Sequence, residues 1–109
     1  MVTLIQLRVD VNCTTDYGST PLYLASKDGH EKVVKILLKH KAQIDFKCFN
    51  GKTALCAASE NDHMRIAEML IARGANINFA NSDGGTPLIF ASENGHVAIA
   101  TLMQLWMMV

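Results

Sequence analysis

Three threonines constrain this chain more than any other feature. Thr20, Thr53 and Thr86 each precede Pro or Ala and then Leu, and they stand 33 residues apart. The same step relates Gly18, Gly51 and Gly84, then Ala25, Ala58 and Ala91, then Ser26, Ser59 and Ser92, then His30, His63 and His96. Leu4, Leu37, Leu70 and Met103 form one apolar series, and Val11, Ile44 and Ile77 another. No insertion shifts the register. A unit of this length cannot bury two helices alone, so neighbouring units must stack and share one continuous core.

Each unit has a readable local structure. The threonine hydroxyl accepts a backbone N–H of the first turn, which makes it an N-cap. Pro21 and Pro87 follow at the first helical position, where a missing N–H costs nothing. Leu22, Ala25 and Ser26 then share one helical face, and Ser59 and Ser92 are expected on the same buried side. Lys-Asp-Gly-His breaks the helix, with Gly29 free to take positive φ and Asp62 a tolerable substitute in the next unit. A second helix carries Val33, Val34, Ile36, Leu37 and Leu38 inside and Lys32, Lys35 and Lys39 outside. Gly74 ends the second helix of the middle unit. An extended Ala-Asn-Ile-Asn stretch and a loop close the unit.

With this period and a Thr-Pro-Leu-x-x-Ala signature, the chain resembles an ankyrin repeat protein over nearly its whole length. The resemblance implies an all-α ankyrin-repeat solenoid of stacked helix-turn-helix units with hairpin-like loops. It implies one domain over residues 1–109: a partial unit at 1–14, units at 15–47 and 48–80, and an incomplete unit at 81–109. Two departures stand out. Tyr23, Cys56 and Ile89 occupy the place of the family's usual His, so the loops are expected to be tied less firmly. Arg8, Lys41 and Met107 replace the helix-ending glycine, and a non-Gly residue held left-handed costs about 1–2 kcal/mol.

The resemblance further implies protein binding, without catalysis or a cofactor, on a concave face built from loop tips and first helices. Carried over position by position, the contact residues are Asp16, Tyr17, Ser19, Lys27 and Asp28 in the first unit. They are Phe49, Asn50, Lys52, Glu60 and Asn61 in the second, and Ser82, Asp83, Glu93 and Asn94 in the third. Tyr17 and Phe49 are the expected anchors, because aromatic side chains dominate interface hot spots.

Other constellations read as scaffold. One His per unit at helix-packing separations leaves the three rings about 8–10 Å apart, too far to share one metal. Ser26, Lys27, Asp28 and His30 do not converge either, since adjacent helical residues point different ways. Their charges also change between units, to Glu60-Asn61 and Glu93-Asn94. Lys32, Lys35, Lys39, His40 and Lys41 form a basic stripe, expected to be a solvated convex face, with an acidic partner as the alternative. A Glu31–Lys35 pair on that helix is worth about 0.3 kcal/mol.

Ten basic and ten acidic residues cancel. That balance disfavours nucleic acid and anionic membranes as partners. No stretch is long enough to span a bilayer, and the start is too short and too interrupted for a signal peptide. Three cysteines without paired spacing point to a reducing compartment, the cytoplasm with the nucleus as alternative. The end of the chain is unusual. Leu105, Trp106 and Met107 stand where earlier units have polar and helix-ending residues, and Met108 follows. Three readings are open: the tail folds back on the open end of the stack, it forms a self-association surface, or the chain is a fragment of a longer array in a larger scaffold or regulatory protein.

Overall fold

The computed structural model describes residues 18–48 and 50–108. The expectations for the partial unit at 1–14, for Asp16 and Tyr17, and for Phe49 fall outside these. Among the described residues six helices follow one another: α1 (Pro21–Asp28), α2 (Glu31–Lys39), α3 (Ala54–Glu60), α4 (Met64–Ala72), α5 (Pro87–Glu93) and α6 (Val97–Met107). The first helix of each pair begins at 21, 54 and 87, so the sequence period becomes a structural one. Thr20, Thr53 and Thr86 are the N-caps, and their hydroxyls accept from Tyr23, Cys56 and Ile89 N–H.

α1, α3 and α5 form an inner row, and α2, α4 and α6 an outer row. Ala25, Ser26, Ala54, Ala57, Ala58, Ser59, Ala91 and Ser92 are the small residues of the inner row. They let the inner backbones approach closely, whereas larger side chains hold the outer helices apart. Leu22, Val34, Leu55, Ile66, Leu70, Ile99 and Met103 fill the core, each at 1% exposure or less. Burying one such side chain stabilises by about 1.5–3 kcal/mol relative to leaving it in water.

The turns use different chemistry at equivalent places. Gly74 holds φ 92° after α4, and Lys41 holds φ 67° at the same point after α2. Lys41 therefore carries the strain that its sequence position suggests. Asp62 does likewise at φ 60°, where the first unit has Gly29 at 82°. The Ala-Asn-Ile-Asn stretch is not extended. Asn76 Oδ1 accepts from Asn78 N–H at 2.9 Å and curls it into a turn, and Asn76 N–H donates to Asp45 Oδ1 of the preceding unit at 2.9 Å.

Equal residues are not equally buried along the stack. Ser26 and Ser59 are fully buried, but Ser92 is exposed. α3 packs against α1 and α5 against α3, and Ser59 Oγ also meets Met103 Sδ of α6 at 4.0 Å, whereas among the described residues no further helix packs on α5 beyond α3 and α6. The tail does not fold back over this end. α6 continues as helix to Met107, leaving Leu105, Trp106, Met107 and Met108 at 59, 44, 48 and 82% exposure. Among the described residues no helix is long and apolar enough to cross a membrane.

Candidate functional site

The loops before α3 and α5 are tight turns of one design. Cys48 N–H bonds Lys52 C=O and Gly51 N–H bonds Cys48 C=O, at 3.0 and 2.8 Å; Asn81, Gly85 and Gly84 repeat this at 2.9 and 3.0 Å. Asn81 Oδ1 accepts from Asp83 and Gly85 N–H, and Asn50 Oδ1 from Lys52 N–H. Successive loops nearly touch: a Cβ on Gly51 would lie 2.9 Å from Ser82 N. Asn50, Ser82 and Asp83 are thereby held at exposed loop tips.

Lys52 joins the loop to the inner row. Its Nζ lies 2.9 Å from Glu60 Oε1 on α3 and 4.6 Å from the Phe90 ring centroid on α5. Its side chain is only 17% exposed, so its charge is largely satisfied inside the chain. Tyr23 makes a second link. Its phenol meets Asn50 and Cys48 of the following loop, and burial first, with the Cys48 thiol next, pushes its pKa up to about 12. Cys48 Sγ in turn donates to Asn50 Oδ1. Tyr23 thus ties the next loop although it replaces the family's His, contrary to the looser loop expected there.

The histidines tie units together. His63 and His96 occupy the N-cap places of α4 and α6 but do not cap their own helices. His63 Nε2 donates to Lys27 C=O at 3.0 Å, and His96 Nε2 to Glu60 C=O at 2.9 Å. Both acceptors are among the last carbonyls of a preceding inner helix, which have no partner within that helix. A ring from one unit therefore caps the helix of the unit before it. A carbonyl accepts only, so Nε2 carries the proton in each ring.

The expected contact residues divide accordingly. Lys27, Asp28, Asn50, Ser82, Asp83 and Glu93 are exposed. Asn61 and Asn94 are exposed too, but each amide donates to a carbonyl of its own helix, Ala57 and Phe90, at 2.9 and 2.8 Å. Asp28 stands at their place in the first unit and, as a carboxylate, accepts only. Ser19 is buried, and Lys52 and Glu60 spend their charges on each other. The Lys52–Glu60–Phe90 arrangement was not visible in the sequence, because its three members lie in a loop and two separate helices. Glu31 and Lys35 do not form an ion pair.

The family model for ankyrin repeats (3 copies) matches residues 1–81 and 45–105. Inversin of Gallus gallus is 42% identical over 41 residues, which is 38% of this chain. The aligned stretch is 4% of that protein's length, so the chain spans a small part of this relative.

Proposed function

Because this chain belongs to the ankyrin repeat family, whose members generally mediate protein–protein contacts, we propose that it is a non-enzymatic module binding a protein or peptide along its inner face. The observation that carries the reading is the contrast between repeated and varied positions. Caps, core and turn residues recur from unit to unit. Exposed inner-row and loop-tip positions recur less strictly: Lys27-Asp28 of the first unit becomes Glu60-Asn61 and Glu93-Asn94, and Asn50 becomes Asp83. Side chains that the scaffold leaves free to vary are the ones available to specify a partner. The sequence register extends the proposal to Asp16, Tyr17 and Phe49, with the two aromatics as anchors.

Selection from a displayed peptide library, followed by titration of the selected peptide, tests the assignment. The doubly substituted Tyr17→Ala/Phe49→Ala chain and the charge-altered Lys27→Glu/Glu93→Lys chain should each weaken binding at least about tenfold. Unchanged affinity in both folded variants would remove the inner face from consideration.

A second reading is favoured by the exposed run Leu105–Met108, whose Trp and Met residues are typical of contact surfaces. In this reading two copies meet through α6. Light scattering across a concentration series, repeated with Trp106→Ser/Met107→Ser, decides it. A mass that stays monomeric throughout removes self-association. The unit boundaries at 15–47, 48–80 and 81–109, and residence in the cytoplasm or nucleus, belong to the same proposal.

A further inference from the structure

The outer row carries a charge pattern that the inner-face reading leaves unused. α2 and α4, with the residues that end them, bear six cations: Lys32, Lys35, Lys39, Lys41, Arg65 and Arg73. Only Glu31 and Glu68 oppose them on these helices. The chain as a whole is neutral, so this face gathers positive charge that is balanced elsewhere. Among the described residues a basic side chain lies within 4 Å of a carboxylate at Lys52–Glu60 and His96–Asp62. None of the six outer-row cations has a carboxylate partner in either.

Three of these cations, Lys32, Lys35 and Arg65, line a groove. The groove, of about 600 Å³, runs between α2 and α4, walled by Glu31, Lys32, Lys35, Arg65, Glu68 and Met69. Outside the groove's lining, Lys39 and Lys41 close α2 with no acidic residue between them, and Arg73 at the end of α4 donates to Leu38 C=O at 3.5 Å. The pattern thins in the second unit, where Arg65 keeps the charge of Lys32 but Glu68 and Ala72 replace Lys35 and Lys39, and it is absent from the third, which has Ala98, Thr101 and Leu105 there. It is therefore concentrated on α2 and the facing side of α4 and is not a general property of the outer row.

We propose that the α2–α4 groove is a second docking surface, and that it takes an acidic segment of a protein partner. Charge complementarity selects the occupant, and the spacing suits it. Lys32 and Lys39 are seven residues apart, about 10 Å along a helix, which an extended segment of about four residues matches. Met69 offers an apolar contact among the charges. Glu31 and Glu68 disfavour a ligand that is acidic throughout the mixed end, which gives the groove a preferred direction. Binding of this kind weakens with salt, because exposed charges are screened.

The test uses the whole chain and a fluorescein-labelled peptide of four consecutive glutamates with glycine–serine flanks, followed by anisotropy at low and high salt. The expected result is saturable binding that falls at least about tenfold in Lys32→Glu/Lys35→Glu/Lys39→Glu and stays within about twofold in the corresponding Lys→Arg chain. The inner-face chain Lys27→Ala/Glu93→Ala should bind the peptide as the parent does, which separates this proposal from the preceding one. Should the reversal chain lose helicity by circular dichroism, Lys→Gln at the same three positions carries the comparison. Equal binding by the folded charge variants overturns the proposal, as does equal binding of the matching glutamine peptide. Failure to bind the peptide while floating with phosphatidylserine vesicles overturns it too, and makes the surface a lipid-binding one.

Discussion

Gly29 and His63 are in contact across the boundary between two units. A Cβ built on Gly29 would lie 2.7 Å from Cε1 of the His63 ring, and Gly29 itself sits at φ +82°. Two independent demands thus fall on one glycine: its backbone conformation and the imidazole lying against it. The ring is there because its Nε2 caps α1 at Lys27 C=O. The first unit's turn and the second unit's histidine are parts of a single joint.

Gly29→Ala should destabilise the chain by about 1–3 kcal/mol, from strain at positive φ and the clash with the ring. His63→Ala should cost about 1 kcal/mol for the lost hydrogen bond. The double substitution should cost less than the sum, since removing the ring relieves the clash. Urea unfolding of the four chains measures this, and strict additivity would show that the contact has no energetic meaning.

Leu55 lies in α3, between the other two inner helices, at 1% exposure. Leu55→Ala should lose about 2–5 kcal/mol, a large share of the total stability of a small domain, which is of order 5–15 kcal/mol, and so lower the melting temperature markedly. A thermal melt within a few degrees of the parent's would contradict this placement.

Lys41→Gly should stabilise. Lys41 is exposed and holds φ 67° where the next unit has Gly74 at 92°. Relief of left-handed strain is worth about 1 kcal/mol here, less what glycine loses through a freer unfolded chain. The melting midpoint reports it, and a fall would mean the Lys41 side chain contributes more than its backbone costs.

Tyr23 predicts a pH effect at the alkaline end. Its pKa rises from 10.0 to about 12 in the folded chain, chiefly because burial disfavours the phenolate. The folded state then holds the proton more tightly than the unfolded state. This contribution is complete below pH 10 and is lost as pH rises through the folded pKa near 12. Ultraviolet titration should show one tyrosinate forming late, and Tyr23→Phe should abolish that step. The alkaline loss of stability should shrink in the same variant.

Much of the scaffold was legible in order of sequence. Thr20, Thr53 and Thr86 announce three helix starts because an N-cap is a local hydrogen bond between a side chain and a nearby backbone N–H. Leu22, Ala25 and Ser26 announce a buried face because helical periodicity is local as well. The inner-face residues were less legible. Lys52 and Glu60 were expected to be free for a partner, yet they pair with each other under the Phe90 ring. Residues eight and thirty-eight positions from Lys52 cannot be assigned to one contact from composition or period.

The sequence by itself determined the period, the caps, the order of the helices and the family, since each rests on interactions within a few residues or on simple repetition. The tertiary structure decided which repeated residues keep their role. Ser59 and Ser92 share the same local surroundings, but only Ser59 is buried, because a following helix covers it. His63 stands at the start of its own helix, but its ring stabilises the end of another. Burial and capping across units depend on what is stacked alongside, and a residue's neighbours in the chain do not record that.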